Sequence, residues 1–441
     1  MAVSRPRFLP LLAVTLSVFA FPVKSGVMQN ISRPPTRIWA FLVAGSNTYE
    51  NYRHQADICH AYHVLHNHGV PDQRIVVMMY DDIANNTENK TPGVILNHPK
   101  GSDVYKGVPK DYTQYMVSAN NFLEILQGNK VHGGSGKVIA SGPEDHIFVF
   151  FSGHGRRGAL GFPGPDLKAR EFTNVLINMR RKGKFSRMVL YIQASHSGSL
   201  FHRLLPKGLN VYVTTAASPE EQSYACYWDG RRGAYLGNQY SVKWMEDSDT
   251  KELIKTTLND QYNQVRKESG NSSVMVYGDT SIGKIRLSRF QGSKSAKPIV
   301  LPKVSCRPTS NRDVPITILE NKLKKATDPA TKKSLQEKLN QLLNNRAFLN
   351  RKIEEIATFI AREKKDVIES LLSSERNLEN FDCYEHAVSY FNDKCFNLDE
   401  NPYALHQLRV LVNACESGYQ SRDILNAMNS ACTHATMRGI R

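Results

Sequence analysis

Six short runs of uninterrupted apolar residues constrain this chain more than any other feature. They are IWAFLVAG (38–45), RIVVMMY (74–80), HIFVFFSG (146–153), MVLYIQAS (188–195), NVYVTTAA (210–217) and SVMVYG (273–278). A strand with one wet face alternates apolar and polar residues, whereas a strand covered on both faces reads as a continuous apolar run. Between the first two runs, RHQADICHAYHVLHNHG sets Ala56, Cys59, Tyr62, Val64 and Leu65 at helical spacing and ends on Gly69, a C-cap glycine. REFTNVLINMRRKG repeats that pattern before the fourth run. Strand and helix signals alternate from about 37 to 285, which predicts an α/β domain built on a mostly parallel sheet flanked by helices.

Downstream the pattern changes. RFQGSKSAKPIVLPKVSCRPTSNRDVP is rich in Pro, Ser and Lys without periodicity and reads as a linker. Leu335, Leu339, Leu342, Leu349, Ile353, Ile356 and Ile360 then form one apolar stripe of a long amphipathic helix. The end of the chain reads as all-helical and carries Cys383, Cys395, Cys415 and Cys432, a module stapled by disulfides. The expected organisation is an N-terminal segment 1–26, an α/β domain 27–288, a linker 289–329 and a helical domain 330–441.

The N-terminal segment has Arg5 and Arg7 before FLPLLAVTLSVFAF, with small residues at Ala20 and Ser25–Gly26, and reads as a secretory signal peptide. No later window is apolar enough to span a membrane. Sequons at Asn30, Asn85, Asn89 and Asn271 fit an exported glycoprotein. Seven cysteines leave at least one unpaired, and Cys59 and Cys226 are expected as buried free thiols. The formal charge of +16 is dispersed, without zinc-finger spacing or an RNP-like aromatic string, so no nucleic-acid partner is expected. It reads instead as attraction to acidic partners or between the chain's own domains. No metal or cofactor is expected.

In an open parallel sheet, functional residues gather at the carboxyl ends of strands. Three such ends are polar here: SNTYENYRHQAD, SGHGRRG and QASHSGS. The second frees His154 between Gly153 and Gly155, and the third presents Ser195. A hydroxyl or thiol beside a histidine is the nucleophile–base arrangement, and the backbone N–H groups of Gly155 and Ser195 are candidates for an oxyanion hole.

Longer stretches carry a resemblance. AGSN…NYRHQADICHAY, RIVVMMYDDIA, GVPKDYT, YIQASHSGS, SYACYWD and YSVKWMEDSD resemble the legumains, asparaginyl endopeptidases of caspase-like fold made as zymogens for lysosomes and vacuoles. The resemblance runs from about residue 37 to the C-terminus. It implies a catalytic histidine at His154 supported by Asn51, and substrate contacts from Arg53, His54, Gln193, Ser223 and Asn238. It also implies the pairs Cys383–Cys415 and Cys395–Cys432, and a helical pro-domain covering the site.

The sequence departs from that family at five positions. The nucleophilic cysteine is Ser195, the acid two residues before it is Gln193, the second pocket acid is Asn238, the Asp before the histidine is Gly153, and the Glu after the nucleophile is His196. A thiol with a reference pKa of about 8.5 ionises readily, whereas a hydroxyl needs a tightly placed base. Neighbouring side chains diverge, so His196 is not expected to serve Ser195. These departures predict an inactive or severely impaired homologue that binds a peptide or protein ligand at its former cleft. The alternatives are an active endopeptidase using Ser195 with His154, or a weak peptide ligase. Without pocket acids, Arg53 is expected to favour Asp over Asn. In LENKLKKATDPATKKSLQ, where zymogens of the family are cut, Asp328 is followed by Pro329 and Asn321 is the nearby asparagine, so the helical domain is expected to stay attached.

Overall fold

The computed structural model describes residues 1–2 and 36–441, so the signal-peptide reading and the sequon at Asn30 fall on residues outside those described. Residues Thr36–Arg441 form one compact unit. All six apolar runs become strands of one sheet, ordered Met275–Gly278, Val211–Thr215, Arg187–Gln193, His146–Ser152, Ile38–Ala44, Ile75–Met78. Every neighbour pair is parallel except the edge pair Met275–Gly278 with Val211–Thr215.

Strand pleating divides the apolar residues between two cores. Ala40, Leu42, Phe148, Phe150 and Tyr191 face the helices Tyr52–Asn67, Gln239–Thr250 and Leu258–Glu268. Phe41, Val43, Val149, Phe151, Leu190 and Ile192 face the helices Ala119–Leu126 and Ala169–Arg181. The first helix stops where expected: His68 is its C-cap and Gly69 follows at φ 87°, a left-handed conformation that favours glycine. Each fully buried Phe or Leu in these layers stabilises by about 1.5–3 kcal/mol.

The second core does not end at the sheet. It continues without a break into Leu349, Ile353, Ile356, Phe381, Tyr384 and Leu411 of the C-terminal helices. The long helix spans Pro329–Ala361, and its predicted stripe is buried from Leu339 to Ile360. Disulfides join Cys383 to Cys415 and Cys395 to Cys432. Among the described residues no helix is long and apolar enough to cross a membrane.

Three expectations need correction. The stretch 289–329 is not a bare linker, because Thr309–Ser310 pairs antiparallel with the strand Tyr224–Asp229 and Val314–Lys325 is a helix. Its short strand lacks the length to show periodicity. Cys226 is not a free thiol but is bonded to Cys306, and only Cys59 is free and buried. Asn89 is 3% exposed, and its side-chain nitrogen donates to the carbonyls of Ile83, Ala84 and Val94, so that sequon is folded inward. Asn85 and Asn271 are exposed.

Candidate functional site

The central pair of parallel strands builds the site. Ser152 is in register with Gln193, and Gly153 N donates to Gln193 O at 3.0 Å, so the two chains leave the sheet together. His154 follows on one side and Ser195 on the other. Gly155 lies so close to this second turn that a Cβ there would meet Ser195 O at 2.4 Å. Only glycine allows the approach. At position 153 a Cβ would meet the Phe151 ring at 2.7 Å, so the ring fills the space a side chain would need.

His154 Nε2 lies 2.8 Å from Asn51 Oδ1, and Asn51 Nδ2 donates to Asn47 O. The His54 ring packs edge-to-face on His154 with centroids 4.9 Å apart, and His54 Nδ1 meets Ser46 Oγ at 2.6 Å. Burial, then Arg53 and Arg312 nearby, hold the His154 pKa well below the usual imidazole value. His154 is therefore neutral, the state a base requires.

Ser195 is 2% exposed, and its hydroxyl is engaged elsewhere. Ser223 N donates to Ser195 Oγ at 3.1 Å, and the Ser223 hydroxyl lies 3.3 Å from the same oxygen. Among the described residues, no histidine is hydrogen-bonded to Ser195. His196 takes a left-handed backbone, φ 55°, and turns away toward Pro219 and Gln222.

Arg53 is fully buried. It donates through Nε to Asn311 Oδ1 at 3.0 Å and through Nη1 to Glu50 O, while Nη2 has no partner. Desolvation lowers its pKa to about 10, against the opposing pull of Glu50 and Asp57. Gln193 is fully buried with both amide atoms unpartnered, and Asn238 Oδ1 is also unpartnered. Asn238 Nδ2 instead donates to Asp57 Oδ2 at 2.7 Å, and Ser152 Oγ and Asn97 Nδ2 donate to the same carboxylate.

Asp57 corrects the reading of Arg53 as a cation with no acid near it. Desolvation pushes the Asp57 carboxyl pKa up, partly offset by its hydrogen bonds. The spacing of Arg53 and Asp57, four apart on one helix, is the sequence signal that could have found it. Asn311 had no such signal, because only tertiary pairing brings it here. Its N–H donates to Ser223 O and its Nδ2 to Ser223 Oγ at 2.6 Å. Arg312 then bridges Gly155 O at 2.6 Å and Pro402 O at 3.0 Å.

A cavity of about 590 Å³ remains beside His154 and Asn51, walled by Arg312, Tyr403, Arg438 and Arg441 among others. The loop around Tyr403 and the C-terminal tail thus wall the cavity on one side. Among the described residues no group of His, Cys, Asp or Glu side chains is arranged to hold a metal ion.

Comparison with known proteins gives matches over most of the chain. The family model described as Peptidase C13 matches residues 38–293, and that described as the legumain prodomain matches residues 337–432. "Legumain" of Bos taurus is 46% identical over 403 residues, covering 89% of this chain and 92% of its own. "Hemoglobinase" of Schistosoma japonicum is 40% identical over 401 residues, covering 89% and 92%. "Vacuolar-processing enzyme beta-isozyme" of Arabidopsis thaliana is 40% identical over 420 residues, covering 89% and 86%.

Proposed function

The chain belongs to the Peptidase C13 (legumain) family, and on that premise we propose that it is a legumain homologue with serine in the place of the nucleophilic cysteine, catalytically inactive or severely impaired, that acts by binding a peptide or protein. The observation that carries this reading is the state of Ser195: its hydroxyl is bound by Ser223 and not by His154. A hydroxyl attacks only when a base takes its proton along a hydrogen bond. Gly155 and Ser195 are the proposed backbone donors, and Arg53 at the cavity wall, with His54, Gln193, Ser223 and Asn238 buried behind it, forms the proposed pocket for a ligand side chain. Export, glycosylation and residence in the secretory pathway, the lysosome or a vacuole belong to the same proposal.

One observation favours a second reading. The Asn51–His154 contact is intact and His154 and Ser195 follow neighbouring strands, which favours an endopeptidase or weak ligase using Ser195. Assay of the purified, acid-treated chain on Asn- and Asp-containing fluorogenic peptides separates the two. No turnover is expected from the wild type. Robust cleavage that Ser195→Ala abolishes would establish the second reading instead.

A further inference from the structure

Taking Arg53 as the pocket of the proposed function, we propose that the Cys226–Cys306 disulfide clamps residues 307–312 there as a tethered ligand, and that a dithiol reductant loosens the clamp. Cys226 lies on the strand Tyr224–Asp229, and Cys306 lies 80 residues later in the connecting segment.

From the disulfide the segment runs antiparallel along that strand toward the site. Tyr227 N donates to Cys306 O at 3.2 Å, Thr309 pairs with Ala225, and Ser310 pairs with Tyr224. Asn311 N then donates to Ser223 O at 3.0 Å and Asn311 Nδ2 to Ser223 Oγ at 2.6 Å. Asn311 Oδ1 accepts from Arg53 Nε at 3.0 Å, and Ser223 N donates to Ser195 Oγ at 3.1 Å. One run of contacts thus joins the disulfide to Arg53 and to the turn that carries Ser195.

Without the disulfide that hold is thin. Residues 293–308 lie in neither helix nor strand, and Lys294, Lys297 and Lys303 are exposed. The strand Thr309–Ser310 has two residues, too few to stay paired alone. A cross-link over a long separation removes many of the open states the segment would otherwise visit. Asn311 stands five residues from the anchored sulfur. A ligand on so short a tether rebinds at an effective concentration of about millimolar, which a free side chain has to exceed to displace it. A protease cut at the exposed lysines, or beyond the helix Val314–Lys325, leaves the tether whole. The hold therefore does not depend on the C-terminal helices.

Reduction opens the clamp by thiol–disulfide exchange. Cys226 is fully buried and Cys306 only partly, so a reductant meets the Cys306 sulfur first. A dithiol's thiolate attacks Cys306 Sγ, the S–S bond breaks, and Cys226 leaves as a thiolate that takes up a proton. The second sulfur of the dithiol then displaces Cys306, which leaves and is protonated in turn. The reductant departs as a disulfide, having given up two electrons and two protons.

Hydrogen–deuterium exchange of the full chain tests the clamp. Cys306→Ser is expected to speed exchange in peptides covering 223–227 and 306–312 by at least about tenfold over the wild type, with the strand His146–Ser152 unchanged. Exchange at the wild-type rate would overturn the proposal. If the variant fails to fold, the wild type under graded dithiothreitol decides, with alkylation mapping which cysteines are reduced. Exchange should rise with alkylation of Cys306, and a rise that tracks only the Cys383–Cys415 and Cys395–Cys432 pairs would overturn the clamp as well. Saturation-transfer NMR with acetyl-Asp-amide tests the pocket separately, and binding to Cys306→Ser but not to the wild type is expected. Faster exchange without that signal supports the clamp and counts against Arg53 as the pocket.

Discussion

Asn311 and Arg53, 258 residues apart in sequence, meet with Asn311 Oδ1 3.0 Å from Arg53 Nε. The chain thereby places its own carboxamide at the buried guanidinium. Arg53 Nη2 still has no partner.

That contact makes the pocket's preference measurable without added peptide. A carboxylate accepts more strongly from a guanidinium than a neutral amide does, by about 1 kcal/mol. Asn311→Asp is expected to raise the melting temperature by a few degrees at pH 7, and the gain should vanish below pH 4 as the carboxylate protonates. Asn311→Leu should destabilise by about 2–3 kcal/mol by orphaning Arg53 Nε. In a Gln193→Glu/Asn238→Asp background the sign of Asn311→Asp should reverse. Calorimetric melts that rank Asp below Asn in the native background would refute the preference.

Restoring chemistry should need more than one change. Ser195→Cys alone is expected to leave cleavage of Asn peptides at background, because Gln193 and Asn238 do not supply the pocket's acids. Adding Gln193→Glu and Asn238→Asp should raise kcat/KM by at least about 100-fold over the single variant, the scale of one preorganised electrostatic contact. A single variant as active as the triple would show that the pocket was never impaired.

Glycan mapping of the exported chain by mass spectrometry should find Asn85 and Asn271 modified and Asn89 bare. The Asn89 nitrogen is the atom a glycan would occupy, and three carbonyls already take its hydrogens. Asn89→Ala is expected to cost about 2–4 kcal/mol, because those buried carbonyls lose their donors. A glycan on Asn89 in the folded protein would contradict the buried placement.

Incubation at pH 4–5 should leave the chain at full length on a denaturing gel. Asp328 accepts from Thr331 N at 2.7 Å as the N-cap of the long helix, and Asn321 lies inside the helix Val314–Lys325. The Asn321 bond is helical, and the Asp328 bond leads into Pro329 at the first turn of the long helix, so neither suits a protease. Shortening only when an active legumain is added would show trimming in trans. Self-processing of the chain alone would refute both the impaired site and the retained helices.

The sheet was legible because buried parallel strands must be apolar throughout, and each of the six runs supplied its own signal. His154 and Ser195 were legible as candidates for the same reason, as polar residues in the turns at the carboxyl ends of two of those runs. Asp57, Asn311 and the Cys226–Cys306 bond were not. Asp57 had only its four-residue spacing from Arg53 as a signal, on a helix whose periodicity says which face is buried and not what the face holds. Asn311 and Cys306 lie in a segment whose two-residue strand is too short for alternation, and its partner is more than eighty residues earlier in the chain. Spacing in sequence carries no information about such a pairing.

The unbroken core from Phe151 through Phe381 to Leu411 makes heat and acid act differently on this molecule. Near neutral pH no seam of water separates the sheet from the C-terminal helices, so the two melt cooperatively and calorimetry records one endotherm. In acid the ion pairs Arg157–Glu375, Lys168–Glu385 and Arg170–Asp382 between the two weaken, and the apolar contact carries most of the coupling. The single endotherm then splits, and the newly bared surface makes the isolated α/β body prone to self-association.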